Sequence, residues 1–292
     1  MDITGEEAGG IVGSYGGSDE GSITITNCTN SGQISGKYSG GIVGNQCGYN
    51  GTVTITNCSN SGVIGETEDN DSLYSGGICG YRAGRVGECN INYCWNTGAI
   101  GMDCGGICGL EVGYDGECNI KYCYNTGALA GDGVGGIIGG GDNSNNTFGT
   151  IEYCWNTGSI GTDSSQNAAG ICGLYCKGTS ESNLIIKYCY NTGSVVYSYC
   201  SGICGRDAEY VTIFNCYNTG NGNGRSYQAS IIGRDADNAR VYNCWSSGDG
   251  FDGNKSSGIA VQTTTSKSVD IYNCYYIGNN NAVGSNVTAD NV

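Results

Sequence analysis

One short sequence recurs along the whole chain of 292 residues, at intervals of 27 to 36 residues. Its clearest form, KYCYNTG, occurs at 121–127 and again at 187–193, and a segment close to GGIxG precedes each copy. A period near thirty residues is typical of a solenoid or a propeller, in which each repeat packs only on its neighbours. The nine marker cysteines of the repeats are Cys28, Cys58, Cys94, Cys123, Cys154, Cys189, Cys216, Cys244 and Cys274.

Composition and spacing favour a β-solenoid. The chain has 55 glycines and no proline, and its apolar runs are short. No window of ten or more residues has the i, i+3, i+4 apolar spacing of a helix. We predict three strands per repeat: the GGIxG segment, a longer strand such as 52–58 or 90–94, and a short strand after NTG such as 99–100. A propeller blade requires about forty residues in four strands, whereas three short strands fit one coil of a β-helix.

The sequence therefore predicts one all-β domain over residues 1–292, a right-handed parallel β-helix (β-solenoid) of about nine coils. Apolar residues two positions apart, such as Val53 and Ile55, place one face of the long strand in a shared core. The polar segment 279–292 is expected to fold over the last coil as a C-terminal cap, as terminal segments of repeat proteins often do.

The repeated pair of motifs resembles a known family. A G-I-x-G segment followed by C-x-N-T-G, closed by NCYYIGNNNAVG at 273–284, is similar to the GLUG-motif repeats of bacterial surface and secreted proteins. The resemblance covers nearly all of the chain and implies a β-solenoid in an adhesin-like protein. Some members carry such repeats beside a metallopeptidase region, which this sequence lacks. The resemblance implies no catalytic residues, because the repeats of the family share none.

Nineteen cysteines suggest a disulfide framework, but their positions match those of core residues. Within GGIxG, cysteine exchanges with valine and isoleucine and so behaves as a small hydrophobe. Stacked residues also have nearly parallel Cα–Cβ vectors, which disfavours a bridge between them. We expect mostly buried thiols, with a few disulfides or a metal site as alternatives, although zinc requires four converging ligands. The GGIxG cysteines are Cys79, Cys108, Cys172 and Cys204. The cysteines available for bridges are Cys47, Cys104, Cys176 and Cys200.

An asparagine follows most marker cysteines by two positions. We predict that it is a turn residue, since asparagine tolerates left-handed backbone, and that its amide bonds to the amide one coil away. This position would form a structural ladder along the rod. Its members are Asn30, Asn60, Asn96, Asn125, Asn156, Asn191 and Asn218.

The position between that cysteine and that asparagine is aromatic in seven coils. Strand alternation points it outward, so the rings should form a stripe along the rod. The favoured interpretation is stacking that stabilises the solenoid by about 0.5–1.5 kcal/mol per pair. The alternative is a binding platform for sugar rings or a protein partner, because an exposed apolar stripe usually marks a contact surface. The candidate binding residues are Trp95, Tyr124, Trp155, Tyr190, Tyr217, Trp245 and Tyr275.

Residue types exclude several chemistries. The chain has no histidine, which rules out Ser-His-Asp and Cys-His catalysis and the HExxH zinc helix. Carboxylate-only catalysis stays open, but Asp207 and Asp235 each follow an arginine, as in a surface ladder of alternating charge. A net charge of −15 argues against nucleic acid and anionic membrane surfaces. One acidic loop is a weak candidate for a calcium site, since such loops are more often solvated than bound to calcium. Its residues are Glu66, Glu68, Asp69 and Asp71.

The sequence thus predicts a non-enzymatic surface repeat module without a cofactor, a stalk or adhesin segment located outside the cell or on its surface. The second hypothesis is a glycan-binding module that uses the aromatic stripe, and the third is a polysaccharide-active enzyme on the same scaffold. Expected partners are a glycan or a host or cell-surface protein, with the chain itself a monomer. The sequence contains no transmembrane run and opens MDITGEEAGG without a signal peptide. We expect it to be a piece of a larger exported protein.

Overall fold

The computed structural model describes residues 1–65, 73–140, 149–161, 166–262, 264, 266–278, 281–284 and 288–290. Over these residues the chain is a parallel β-solenoid without a helix, in which each strand pairs with the equivalent strand one repeat later. The predicted all-β solenoid is confirmed, and the predicted number of coils agrees with the structure. We number the coils 1 to 9 by their marker cysteines.

Two sheets run the length of the rod, one of ten long strands and one of nine short strands. Strands are numbered in chain order. The long strands are β1 (Ser22–Thr26), β3 (Thr52–Thr56), β5 (Glu88–Asn92), β7 (Glu117–Lys121), β9 (Gly149–Glu152), β11 (Leu184–Lys187), β13 (Val211–Phe214), β15 (Ala239–Tyr242), β17 (Val269–Tyr272) and β19 (Thr288–Asp290). The short strands are β2 (Thr29–Asn30), β4 (Ser59–Asn60), β6 (Trp95–Asn96), β8 (Tyr124–Asn125), β10 (Trp155–Asn156), β12 (Tyr190–Asn191), β14 (Tyr217–Asn218), β16 (Trp245–Ser246) and β18 (Tyr275–Tyr276).

Two of the three strands predicted for each coil are shorter than expected. The GGIxG segment and the segment after NTG contribute only isolated bridges, such as Gly40 with Gly76 and Ile64 with Ile100. The GGIxG segment turns so tightly that a Cβ on Gly40 would overlap the carbonyl oxygen of Val43. An extended strand cannot form there, because the chain is rounding a corner of the coil.

The predicted ends of the long strand were also wrong. The strand stops two residues before the marker cysteine, because the residue in between has left-handed backbone: φ is 55° at Asn57 and 54° at Tyr93. None of the seven ladder asparagines has a positive φ. The left-handed position therefore precedes the cysteine, and the asparagine predicted to be a turn residue lies in a short strand instead.

The core occupies the inside of the coils along the whole rod. Inward side chains of the long strands stack in register, as Ile25, Ile55 and Ile91 do, and the last two are fully buried. A smaller cluster lines the segment after NTG, where Ile64 and Ile100 are fully buried. The apolar columns thus continue from coil to coil, as expected when each repeat places the same type of residue at the same position.

The C-terminal residues that the structure describes add a partial turn to coil 9. β19 pairs with β17, and Val283 bridges Ala260. The N–H of Ile259 donates to the carbonyl of Ala282 at 2.6 Å. The expected cap at 279–292 stays a prediction, and residues 279–280, 285–287 and 291–292 lie outside the described part of the chain.

Candidate functional site

The marker cysteines form a ladder of thiols at the bend between the two sheets. In Cys94 the Sγ–H donates to the carbonyl of Asn92 at 3.3 Å, and the sulfur accepts the N–H of Cys58 at 3.4 Å. Every marker thiol makes the first of these bonds, at 3.2–3.4 Å. This explains why the marker position is always cysteine whereas the GGIxG position also accepts valine and isoleucine: a marker residue must fill core space and also donate and accept weakly.

All nineteen cysteines are free thiols in the structure, and all except the half-buried Cys28 are buried. Burial raises the pKa of Cys47, Cys104 and Cys200 to about 12, because each thiolate would be desolvated. The predicted burial of the thiols is therefore confirmed. Their redox state in solution remains a prediction, and burial opposes formation of the reactive thiolate.

The predicted asparagine ladder forms, and both side-chain N–H groups of each asparagine donate a hydrogen bond. Asn96 Nδ2 donates to Asn125 Oδ1 at 2.7 Å and to the carbonyl of Gly98 at 2.7 Å. The same amide-to-amide bond joins each consecutive pair from Asn30 to Asn218, at 2.6–2.7 Å. Beyond Asn218 the chain of bonds passes to Ser230 and Ser246. Because these amides are buried, an incomplete ladder would leave polar groups unsatisfied.

Six of the seven predicted aromatic residues form one stack, here called the Trp/Tyr ladder. Neighbouring ring centroids lie 4.7–6.0 Å apart, and their planes differ by 3–11°. Tyr275 occupies the same column but is 63% exposed, and no ring contact joins it to Trp245. The members of the ladder are Trp95, Tyr124, Trp155, Tyr190, Tyr217 and Trp245.

A second stack, which we call the tyrosine ladder, was not predicted. It consists of Tyr93, Tyr122, Tyr153 and Tyr188, with centroids 4.8–5.1 Å apart and planes within 3–10°. These are the left-handed residues just before the marker cysteines. The signal in the sequence was the tyrosine of NYC, KYC and EYC. Its side chain points outward, next to the Trp/Tyr ladder, only because the residue has a φ of about 55°.

Both ladders run along the rod with their ring faces covered by one another. An internal ring such as Tyr153 has a neighbour on each side, at 5.1 and 4.9 Å. Such a ring presents only its edge and its hydroxyl to solvent. A sugar that stacks on an aromatic residue needs an open ring face, so the interior of a ladder is unsuited to the predicted platform. The stack offers open faces only where it begins and where it ends.

The paired Arg-Asp turns of coils 7 and 8 form a network of charges. Asp207 accepts a hydrogen bond from Lys267 Nζ at 2.8 Å and forms an ion pair with Arg206, whose Nε lies 2.8 Å from the carboxylate. Asp235 pairs with Arg234 Nε at 2.6 Å. A cavity of about 180 Å³ lies beside this network. Each carboxylate has a basic partner, as in the alternating charge ladder that the sequence favoured.

One carboxylate is buried among aromatic rings at a corner of coils 3 and 4. Glu111 is 2% exposed and accepts a hydrogen bond from the Tyr81 hydroxyl at 2.8 Å. Arg82 pairs with the same oxygen and lies over the Tyr81 ring, 4.6 Å from its centroid. Burial, followed by the bond to Glu111, raises the pKa of Tyr81. The arginine and the tyrosine together compensate the buried charge, which is how ionised side chains are tolerated in an interior.

Metal and membrane features are limited in the part of the chain that the structure describes. No three histidine, cysteine or acidic residues there lie close enough to hold a metal ion. The calcium candidates Glu66, Glu68, Asp69 and Asp71 lie outside the described residues. Among described segments, none is a helix of the length and hydropathy needed to span a bilayer.

Comparison with known proteins identified no matching family model, curated protein or solved structure. The resemblance to GLUG-motif repeats therefore rests on the quoted motifs alone and stays a prediction. The structure, in contrast, shows the β-solenoid directly, with its thiol, amide and aromatic ladders.

Proposed function

We propose that this chain is a non-enzymatic repeat module that works as a rigid rod, a stalk or adhesin segment located outside the cell or on its surface. The observation that carries the proposal is continuity: the buried columns and the asparagine ladder run from coil to coil with the register kept throughout. A structure that repeats one solution along an axis provides length and stiffness.

The dimensions suit a spacer. Ten long strands stacked at about 4.8 Å give nine steps, or a rod of about 43 Å. The net charge of −15 keeps such a rod soluble and repels nucleic acid and anionic membranes. We propose a monomer, with a glycan or a host or cell-surface protein as its partner.

An enzymatic role has little support from the described carboxylates. Asp207 and Asp235 are each paired with an arginine, and Glu111 is paired with Arg82 and accepts a hydrogen bond from Tyr81. Two-acid hydrolysis requires one protonated and one ionised carboxyl that face the same bond. The geometry of these three residues favours charge compensation instead.

The length of the rod can be measured directly. The chain would be anchored at one end to a supported bilayer and fused at the other end to a fluorescent protein. The height of the fluorescent protein above the bilayer would then be measured by interference microscopy. We expect an increase near 43 Å over the anchor alone and about twice that for two chains in tandem. A tandem protein with Gly158→Ala in both copies, which should not stack its coils, is the matched control.

The same protein on beads, mixed with epithelial cells, separates the two versions of the proposal. A pure stalk should hold beads no better than the anchor alone, whereas an adhesin segment should retain them in a saturable way. A layer height unaffected by the chain would contradict the rod. Release of reducing ends from a polysaccharide panel would support the enzyme hypothesis instead.

A further inference from the structure

Both aromatic ladders begin at the same coil and leave two ring faces uncovered there. Tyr93 and Trp95 of coil 3 stack on coil 4 through Tyr122 and Tyr124, with planes within 7° in each pair. Coil 2 has Asn57 and Ser59 in the equivalent positions. The faces of the coil 3 rings that point toward coil 2 therefore have no aromatic neighbour. We call this place the aromatic step.

The exposed fractions of the tyrosine side chains show that one face of Tyr93 is uncovered. Tyr93 is 55% exposed, whereas Tyr122, Tyr153 and Tyr188, which have a ring on both sides, are 37–39% exposed. Beneath Trp95, Ser59 is only 9% exposed, so the indole lies over it. A serine side chain has two heavy atoms and covers only part of an indole. The step thus presents one open tyrosine face beside a partly open tryptophan face.

In front of the step lies a surface that we call the polar shelf. All its residues are uncharged and carry a hydroxyl or an amide, in a chain whose net charge is −15. The first charged residue in the same columns is Lys121 in coil 4. Asn57 Nδ2 donates to Asn27 Oδ1 at 2.6 Å, and both side chains are exposed. The shelf consists of Thr26, Asn27, Thr29 and Ser31 from coil 1 and Thr56, Asn57, Ser59 and Ser61 from coil 2.

We propose that the aromatic step and the polar shelf form a binding site for a neutral oligosaccharide. A pyranose ring has an apolar C–H face, which would pack on the open face of Tyr93, and hydroxyls at its rim, which would bond to Asn57, Asn27 and Thr29. Sites for small polar ligands combine an apolar surface with a few fixed polar groups in this way. The site goes beyond the rod function and does not depend on it.

Charge selects the kind of sugar. A sialylated, sulfated or uronic glycan would meet a chain of like charge and no cation on the shelf, so it would be repelled. A neutral glycan meets only donors and acceptors. A peptide strand is less suited, since the backbone groups of coils 1 and 2 at this surface already pair with one another, as in Thr29 with Ser59.

The test uses the full chain carrying Trp155→Phe and Trp245→Phe, so that Trp95 is the only indole while the stack is kept. Cellotriose, chitotriose, mannotriose and galactotriose are titrated separately against it, with sialyllactose and a chondroitin sulfate tetrasaccharide as charged probes. We expect at least one neutral trisaccharide to give a saturable change in Trp95 fluorescence, and neither charged probe to do so.

Paired variants locate the site. Tyr93→Ala removes the open face and should weaken binding at least about tenfold, which corresponds to about 1.4 kcal/mol. Tyr153→Ala removes a ring of the same ladder that is covered on both sides, and should leave the affinity within about twofold. Ser59→Trp would extend the ladder over Trp95 and should abolish binding, while Asn57→Ala should weaken it.

Several results would overturn the proposal: no saturable response to any of the four neutral sugars, stronger binding of a charged probe, or equal losses in Tyr93→Ala and Tyr153→Ala. Circular dichroism shows whether each variant folds. If Tyr93→Ala does not fold, Asn57→Ala and Ser59→Trp decide, since neither removes a ring from a stack. Unchanged affinity in both would then refute the site.

Discussion

Coils 1 and 2 differ from coils 3 to 6 on the outside and agree with them on the inside. In both regions the marker cysteine is followed by an asparagine that bonds to the next asparagine, as in Asn30 with Asn60 and Asn125 with Asn156. The outward positions carry threonine, serine and asparagine in coils 1 and 2, and stacked rings in coils 3 to 6. The fold is therefore carried by the inward columns, and the outward columns are free to acquire a function.

The largest effect should come from the glycine that ends NSG in coils 1 and 2 and NTG in coils 3 to 6, which is buried in both regions. A Cβ on Gly158 would overlap the carbonyl oxygen of Gly127 one coil away, and strand pairing holds both backbones in place. We expect Gly158→Ala to prevent coil stacking, so that little folded protein is recovered. Gly13→Ala, where an added Cβ meets no atom within 4 Å, should fold normally. Far-UV circular dichroism compares the two, and a folded Gly158→Ala protein would disprove the packing argument.

Raising the pH should destabilise the protein, because buried thiols in both regions resist ionisation in the folded state. Cys47 in coil 2 and Cys104 and Cys200 farther along have a pKa of about 12, above the value of 9.0 for a free thiol. A pKa raised by folding gives stability that is present below about pH 9 and is lost as the pH rises toward 12. At pH 10 the three thiols together should lower the free energy of unfolding by about 4 kcal/mol.

Urea unfolding from pH 7 to 10.5 would measure this loss. A protein with alanine at these three positions should be less stable at pH 7 but should lose less on going to pH 10. An unfolding midpoint that is flat up to pH 10.5 would contradict the burial of these thiols.

Breaking the amide ladder should cost less than the glycine change. Asn156→Ala removes the donor to Asn191 and leaves Asn125 Nδ2 without its acceptor, in a buried column. We expect the free energy of unfolding to fall by about 2–4 kcal/mol. Asn57→Ala breaks an amide pair on the surface and places alanine in left-handed backbone, so it should cost only about 1 kcal/mol. Urea midpoints with unchanged m-values would give both numbers, and equal losses would show that burial does not decide the cost.

The smallest effect should come from a ring that only coils 3 to 6 have. Tyr153→Ala removes two ring contacts, at 5.1 and 4.9 Å, and should lower the free energy of unfolding by about 1–2 kcal/mol. Thr126→Ala changes an exposed residue four positions after Tyr122, the Tyr of KYC, and serves as the control. A loss near zero for Tyr153→Ala would mean that the tyrosine ladder has no structural role.

The inward half of the molecule could be predicted from the sequence because a solenoid presents the same packing problem once per coil. The exchange of cysteine with valine and isoleucine identified buried positions, and the repeated asparagine identified the amide ladder. The break before the marker cysteine was missed, although five coils have asparagine there, a residue that tolerates left-handed backbone. These five are Asn27, Asn57, Asn215, Asn243 and Asn273, and all have positive φ. The other four coils have tyrosine, which rarely adopts this conformation and so hid the signal.

The corner clusters were unpredictable for a different reason. Glu111, Arg82 and Tyr81 come from turns of adjacent repeats, and the spacing between marker cysteines varies from 27 to 36 residues in these connections. Without a constant period, no column can be assigned in advance. The step at coil 3 was visible in the letters, as the change from TNCSNSG to NYCWNTG. That this change leaves two ring faces uncovered could be inferred only from the stacking of the rings in the structure.

The buried thiols can be used to measure how often each coil opens. Every coil contains a marker cysteine, and all except Cys28 are shielded from solvent. A labelling reagent can reach such a sulfur only while its coil is open, so each labelling rate records how often that coil separates from its neighbours. Mass spectrometry of partly labelled protein would then give a free energy of opening for each coil. Fraying from the two ends should appear as a gradient, fastest at coils 1 and 9 and slowest near coil 5.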